Sequence, residues 1–165
     1  MPKAIPAEQA QKHINNALKV LEGVGEDKAD YAIRWAGIKL FKEVIMESPR
    51  DTGRFVHNWQ ITTKSPASKE LDGTTTNTGA ASRVISDFPK TVLGKKVFMV
   101  NNLPYAEVLE LGGYPKTVEH GTYNKQTKSY EILSAGGYSK QAPVGMVRRN
   151  TKKLKKWLKH GLKLA

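Results

Sequence analysis

Four histidines, His13, His57, His120 and His160, are the side chains most able to exchange protons near neutral pH, and the chain has no cysteine. The histidines stand far apart, and none has the spacing that puts two imidazoles on one helix face around a metal. Glu119-His120 together with Glu110 could bind a metal, but a solvated loop is the plainer account of them. Asp51 and Asp87 have no carboxylate partner in the sequence for paired acid–base work. Asp51-Thr52-Gly53 reads instead as a tight turn, with the Asp side chain bonding to following amides. Neither a Gly-x-Ser-x-Gly elbow nor a phosphate-binding Gly-x-x-x-x-Gly-Lys-Ser/Thr loop occurs. Without cysteine there is no disulfide framework, thiolate metal site or thiol nucleophile. The expectation is a protein that is not an enzyme, with no catalytic, cofactor-binding or metal-binding residues.

The chemistry that does stand out is charge. The 165 residues (18.3 kDa) carry 27 Lys+Arg against 15 Asp+Glu, a net +12 with His neutral. Glu131 is the last acid, and after it come Lys140, Arg148, Arg149, Lys152, Lys153, Lys155, Lys156, Lys159 and Lys163. A basic end calls for an acidic neighbour. Arg148 to Lys163 are therefore the candidate contacts to an acidic protein surface or to DNA phosphates. A solvated lysine face over a packed apolar stripe is the structural alternative. A basic amphipathic helix can also lie on a membrane, but nothing else supports a membrane partner. Lysines without interleaved aromatics give no stacking platform, so any nucleic-acid contact is expected to be to the backbone and sequence-blind.

The elements that carry these residues can be read from periodicity. Ala7–Leu21 has Ala10, Ile14, Ala17, Leu18 and Leu21 at helical spacing, with Gly23 and Gly25 to stop it. A second helix runs to about Ser48, capped by Asp27 and ended by Pro49. Its main stripe is Ile33, Ala36, Gly37, Leu40, Phe41 and Val44, while Tyr31, Trp35, Ile38 and Met46 fall largely outside it. Either the helix is central in its own domain or a neighbouring subunit covers its second face. Arg54–Lys64 alternates like a strand. Residues 65–79 form a long polar loop, Ala80–Phe88 a short helix, Val97–Asn101 a second strand and Pro104–Leu111 another short helix. Thr117–Tyr123 and Ser129–Leu133 could form a hairpin, making 112–137 a candidate extended β-arm. A basic amphipathic helix over 147–164 closes the chain, with Val147, Leu154, Trp157, Leu158 and Leu162 as its apolar stripe. The expected fold is one α+β domain over 1–165, with N-terminal helices packed on a small, mainly antiparallel sheet and a basic C-terminal helix. The longest clean apolar run is Val97–Val100, too short to span a membrane, and the N-terminus shows no secretory signal.

Three segments together resemble a known family. Ser48-Pro49-Arg50-Asp51-Thr52-Gly53-Arg54-Phe55-Val56-His57-Asn58-Trp59 is similar to the Pro-x-Asp-Thr-Gly-x-Leu/Phe-x-x-x-Trp signature of the neck or tail-completion (minor tail, head–tail joining) proteins of long-tailed bacteriophages. Asn101-Asn102-Leu103-Pro104-Tyr105-Ala106 through Glu110-Leu111-Gly112-Gly113 resembles the family's Asn-Pro-x-x-Tyr-Ala-x-x-x-Glu-x-Gly element. Ser139 to Arg148, with Gln141-Ala142-Pro143-Val144-Gly145-Met146-Val147-Arg148, looks like its entry to the last helix. The order matches, and the resemblance covers roughly Ala29 to Lys156. Two features depart from the pattern: Pro104 directly precedes Tyr105, and Tyr114–Ala135 is a sizeable insertion.

The resemblance implies a structural virion protein, made in the host cytoplasm and placed at the head–tail joint. It would form a homo-oligomeric ring, with six subunits the expectation, around the DNA channel, joining tail to capsid. Its partners would be copies of itself and the neighbouring neck, connector and tail-terminator proteins. Non-specific contact with passing DNA is the further implied contact. A ring needs head-to-tail contacts that close; Tyr31, Trp35, Tyr105, Glu110, Tyr114 and Tyr138 are the candidates for them. Asp51, Gly53, Pro143 and Gly145 are expected to set turns. The alternative function is a basic, sequence-nonspecific nucleic-acid-binding module.

Overall fold

The computed structural model describes residues 7–112, 122–126, 128–131 and 145–165. Tyr114, Tyr138 and Pro143, and most of the 112–137 arm, lie outside the described residues. The fold is mixed α and β, with seven α-helices and small antiparallel strand pairs among those residues.

Helix α1 (Ala7–Leu18) tightens into a 3-10 turn over Lys19–Leu21 and stops at Gly23, whose φ of 75° is the left-handed form glycine adopts without strain. Helix α2 (Glu26–Met46) is the longest element. Its N-cap is Gly25, not Asp27, which lies in the first turn beside the positive end of the helix dipole. The Asp30 carboxylate accepts the Val92 and Leu93 amides at 2.7 and 2.6 Å, tying a later loop to the start of α2. Those two backbone hydrogen bonds hold its pKa below the ordinary aspartate value.

The expected strand over Arg54–Lys64 is only half a strand. Arg54–His57 forms one helical turn, α3, and β1 is confined to Trp59–Thr62. Phe55 and Val56 are adjacent and both buried, which a helical turn permits and a half-buried strand does not. Strand β1 pairs antiparallel with β2 (Phe98–Asn101), Trp59 opposite Asn101. Helix α4 spans Asn77–Asp87, so the polar loop ends at Thr76 and not at Gly79. Thr76 Oγ1 caps it by accepting the Gly79 amide at 3.0 Å. Helix α5 covers Ala106–Leu111. Strands β3 (Thr122–Asn124) and β4 (Ser129–Glu131) pair as a short hairpin within the expected arm.

The expected single C-terminal helix is two: α6 (Val147–Thr151) and α7 (Leu154–Leu164). Between them the Lys153 amide reaches the Asn150 carbonyl, a tighter i→i−3 bond, and the Thr151 hydroxyl takes the Arg148 carbonyl at 2.8 Å. No helix among the described residues is long and apolar enough to cross a membrane.

Two apolar clusters meet at Leu40 of α2. One gathers Val44, Ile45, Phe55, Val56, Trp59, Val84, Leu103, Leu109 and Met146 around the β1–β2 sheet. The other seats α7 on α1 and α2 through Ala17, Ala36, Trp157 and Leu158. Ala29, Ala32 and Ala36 make the buried side of α2 flat. Gly161 of α7 lies so close that a Cβ there would stand 2.9 Å from Ala32 Cα. Small residues on both helices thus let α7 approach α2 closely.

Candidate functional site

Two sites emerge. The first is where the three motif segments converge. Ser48, at the end of α2, accepts the Trp59 indole N–H at 2.9 Å and donates to the Val44 carbonyl at 2.8 Å. Met146 Sδ lies 3.2 Å from the same hydroxyl, so all three elements touch through one buried serine or its partners. Asn101 donates to the Phe55 carbonyl at 2.8 Å. Gly53 has φ 87°, and the Thr75 backbone occupies the place a Cβ would take. Asp51 is exposed; Thr52 Oγ1 accepts the Arg54 amide at 3.3 Å, a role expected of the Asp51 carboxylate.

Glu110 was expected at a subunit contact. Its side chain is only 16% exposed and turned inward. Oε2 accepts the Met146 and Val147 amides at 2.7 and 2.8 Å, and Oε1 accepts the Arg148 amide at 2.9 Å. A carboxylate 36 residues upstream thus satisfies the open amides at the start of α6. The Arg148 guanidinium closes the clamp onto Glu110 Oε1 at 3.2 Å and onto its carbonyl at 3.1 Å. Gly145, with φ 72°, is required here because a Cβ would run into the Glu110 backbone carbonyl first and the same carboxylate next. Arg148 is therefore an internal partner, not a surface cation.

Glu47 forms a second clamp on the same short helix. It takes Arg149 at 2.5 Å, the Asn150 side-chain amide (Nδ2) at 2.6 Å and Lys153 at 3.2 Å. Burial pushes the Glu47 carboxyl up, but the hydrogen bonds from Arg149, Asn150 and Lys153 outweigh it and hold its pKa below the ordinary value. Arg149 and Lys153, expected to meet an acidic partner, have one inside the chain. The long polar loop is also fastened. Asn58, fully buried, exchanges hydrogen bonds with the Leu71 backbone at 2.7 and 3.0 Å, and Asn102 donates to the Ala67 and Lys69 carbonyls. Asn77 donates to the Ile45 and Ser48 carbonyls at the end of α2. None of these asparagine roles was legible in the sequence: Asn58 falls in the expected strand and Asn77 in the expected loop, and these partners all lie 13 or more residues away. Taken together, the residues of the first site are hinges, caps and clamps. They present no nucleophile with an adjacent base.

The second site is a groove of about 800 Å³ between α2 and α7. Lys152, Lys155, Lys156, Lys159 and Lys163 line it from the C-terminal segment, and Lys39 from α2. Among the described residues no acidic side chain lines it, and those five C-terminal lysines form no ion pair. Lys39 bridges Glu43 at 2.8 Å along its own helix. Aromatic groups lie among the lysines. Trp35 packs against His160 with ring centroids 4.8 Å apart, and Trp157 lies at the base. A smaller concavity of about 170 Å³ adjoins it, lined by Tyr31, Arg34, Ile38 and Lys42, and shares Trp35 and Lys39. Sequence reading placed the lysines on a bare amphipathic face. It did not place Lys39 or the Trp35 indole beside them, because that requires α2 to be packed on α7; His160, directly after Lys159, was passed over.

Of the expected interface residues, Tyr31 is 44% exposed, and Tyr105 lies at the surface with its ring 6.0 Å from Phe55. Among the described residues, no group of three His, Asp or Glu side chains could hold a metal ion. Compared with models of known protein families, with curated proteins and with solved structures, the chain matches none.

Proposed function

We propose that this protein is a structural component of a tailed-phage virion, a non-enzymatic subunit of a ring at the head–tail joint. One observation carries the reading. The three segments that resemble the neck and tail-completion family, far apart in sequence, meet around Ser48, Trp59, Met146 and Glu110. Their residue types are accounted for by a common architectural job: turning the chain at Gly53, fixing β1 under α2, and capping α6 with Glu110. A framework of this kind supports surfaces that bind neighbours. The Tyr105–Leu111 surface, where Tyr105 and Leu111 are both exposed, is the proposed contact between like subunits. Glu110 acts behind that surface, not on it.

The test is the mass of the full-length protein by light scattering over a range of concentration and salt. A closed species near six times 18.3 kDa is the expected outcome. A strict monomer at every concentration, or an open-ended series of masses, overturns a ring formed by this chain alone. Tyr105→Asp should dissolve the ring into soluble, folded monomers; an unchanged ring would move the contact elsewhere.

A further inference from the structure

The α2–α7 groove is not explained by the framework around Ser48 and Glu110. It is an open surface groove of about 800 Å³, the form a chain-like ligand can lie along. The stripe from Lys155 to Lys163 covers about 12 Å along α7, enough for cations to follow more than one phosphate of a strand. Among the described residues these lysines have no carboxylate partner, in contrast to Arg148, Arg149 and Lys153 a turn or two earlier. Several unpaired ammonium groups on one wall raise the local concentration of polyanions.

The rings decide which polyanion. Trp35 and the exposed His160 pack at 4.8 Å inside the lysine rim, and Tyr31 stands one helical turn before Trp35 beside the adjoining concavity. An acidic peptide would use the lysines and leave the ring faces without partners. A duplex keeps its bases stacked on one another, out of reach of a groove floor. A second copy of this chain, at net +12, would meet like charge here from Arg34 and Lys42 as well as from α7. A basic groove floored by aromatic rings suits unpaired bases, which stack while their phosphates follow the cations. We infer that the groove between α2 and α7 binds single-stranded nucleic acid, with phosphates on the α7 lysines and bases on Trp35 and His160. The inference goes beyond the ring reading and does not depend on it.

The experiment is fluorescence anisotropy of a labelled oligothymidylate of about 20 nucleotides with the full-length protein, from about 50 to about 200 mM salt. Wild type should bind, with an affinity that falls steeply as salt rises. Lys155→Glu/Lys159→Glu should weaken binding at least about tenfold and flatten the salt slope. Lys64→Glu/Lys69→Glu, an equal charge change on exposed residues that line neither concavity, should cost far less. His160→Ala, at an exposed position, should weaken the oligonucleotide about fivefold or more, as loss of one stacked base does. Trp35→Leu, checked for fold by circular dichroism, should do the same, and a duplex of equal length should bind more weakly. Equal losses from the two charge reversals would overturn the groove assignment. A duplex binding as tightly, with no effect of the ring variants, would overturn the single-stranded assignment. Polyglutamate competing as well as oligothymidylate would reassign the groove to an acidic protein. Light scattering on the same samples reports the ring separately, so failure of one reading is not mistaken for failure of the other.

Discussion

Along α6 and just beyond it, Arg148, Arg149 and Lys153 each reach a carboxylate from a distant element, Glu110 or Glu47. Along α7, Lys155, Lys156, Lys159 and Lys163 reach none among the described residues. The two stretches have similar composition and opposite electrostatic character. In the first, charge is matched by partly buried acids and fixes the angle at which the chain enters its last helix. In the second, among the described residues, charge is left unmatched above an apolar seat. The difference teaches that a run of basic residues carries no single meaning. What decides is whether folding brings a carboxylate to it, and here the boundary falls at the break between α6 and α7.

The comparison can be broken most forcefully at Glu110. Glu110→Ala leaves three amides without their acceptor and the Arg148 guanidinium with only the backbone carbonyl of residue 110, and should cost about 3 kcal/mol, read as a lower denaturant midpoint. A loss under about 0.5 kcal/mol would mean that α6 is held by packing alone. Glu47→Gln should be milder, about 1 kcal/mol at neutral pH, because its partners are partly solvated. It carries a pH signature as well. Glu47 has its pKa lowered by folding, so its contribution is fully present above the ordinary value of 4.5 and is lost as pH falls through the folded value. Wild type should therefore lose stability faster below pH 4.5 than Glu47→Gln, in thermal melts across acid pH. The smallest effect is expected on the other side of the comparison. Lys155→Ala/Lys159→Ala should change stability by no more than about 0.5 kcal/mol. A loss of about 2 kcal/mol would show these lysines to be structural and erase the distinction.

Long periodic elements were legible in the sequence. α1, α2 and α7 bury enough of one face for spacing to reveal them, and β2 and α5 lie where alternation and Pro104 place them. α3 was not legible, because four residues are too few to separate one helical turn from a strand when Phe55 and His57 alternate with smaller neighbours. The start of α4 was missed because Thr76 and Asn77 look like loop residues, although one caps the helix and the other binds the end of α2. The clamps were half legible. Gly53, Gly145 and Glu110 were singled out, but Glu110 was assigned outward, since nothing local shows a carboxylate finding amides 36 residues away. The groove was not legible in its essential feature. Trp35 and His160 lie on different helices at opposite ends of the chain, and only the close seat of Gly161 on Ala32 brings them together.

The three tryptophans fall into different surroundings, and this gives the molecule its own optical reporters. Trp59 is buried and hydrogen-bonded to Ser48, Trp157 is buried on the inner side of α7, and Trp35 is half-buried at the lysine rim. Iodide should be drawn to the Trp35 indole by the ammonium groups around it, while caesium should be kept away. The ratio of their quenching efficiencies is then a direct reading of the potential in the groove, obtained with no ligand bound, while the shielded emission of Trp59 reports whether the framework beneath is intact.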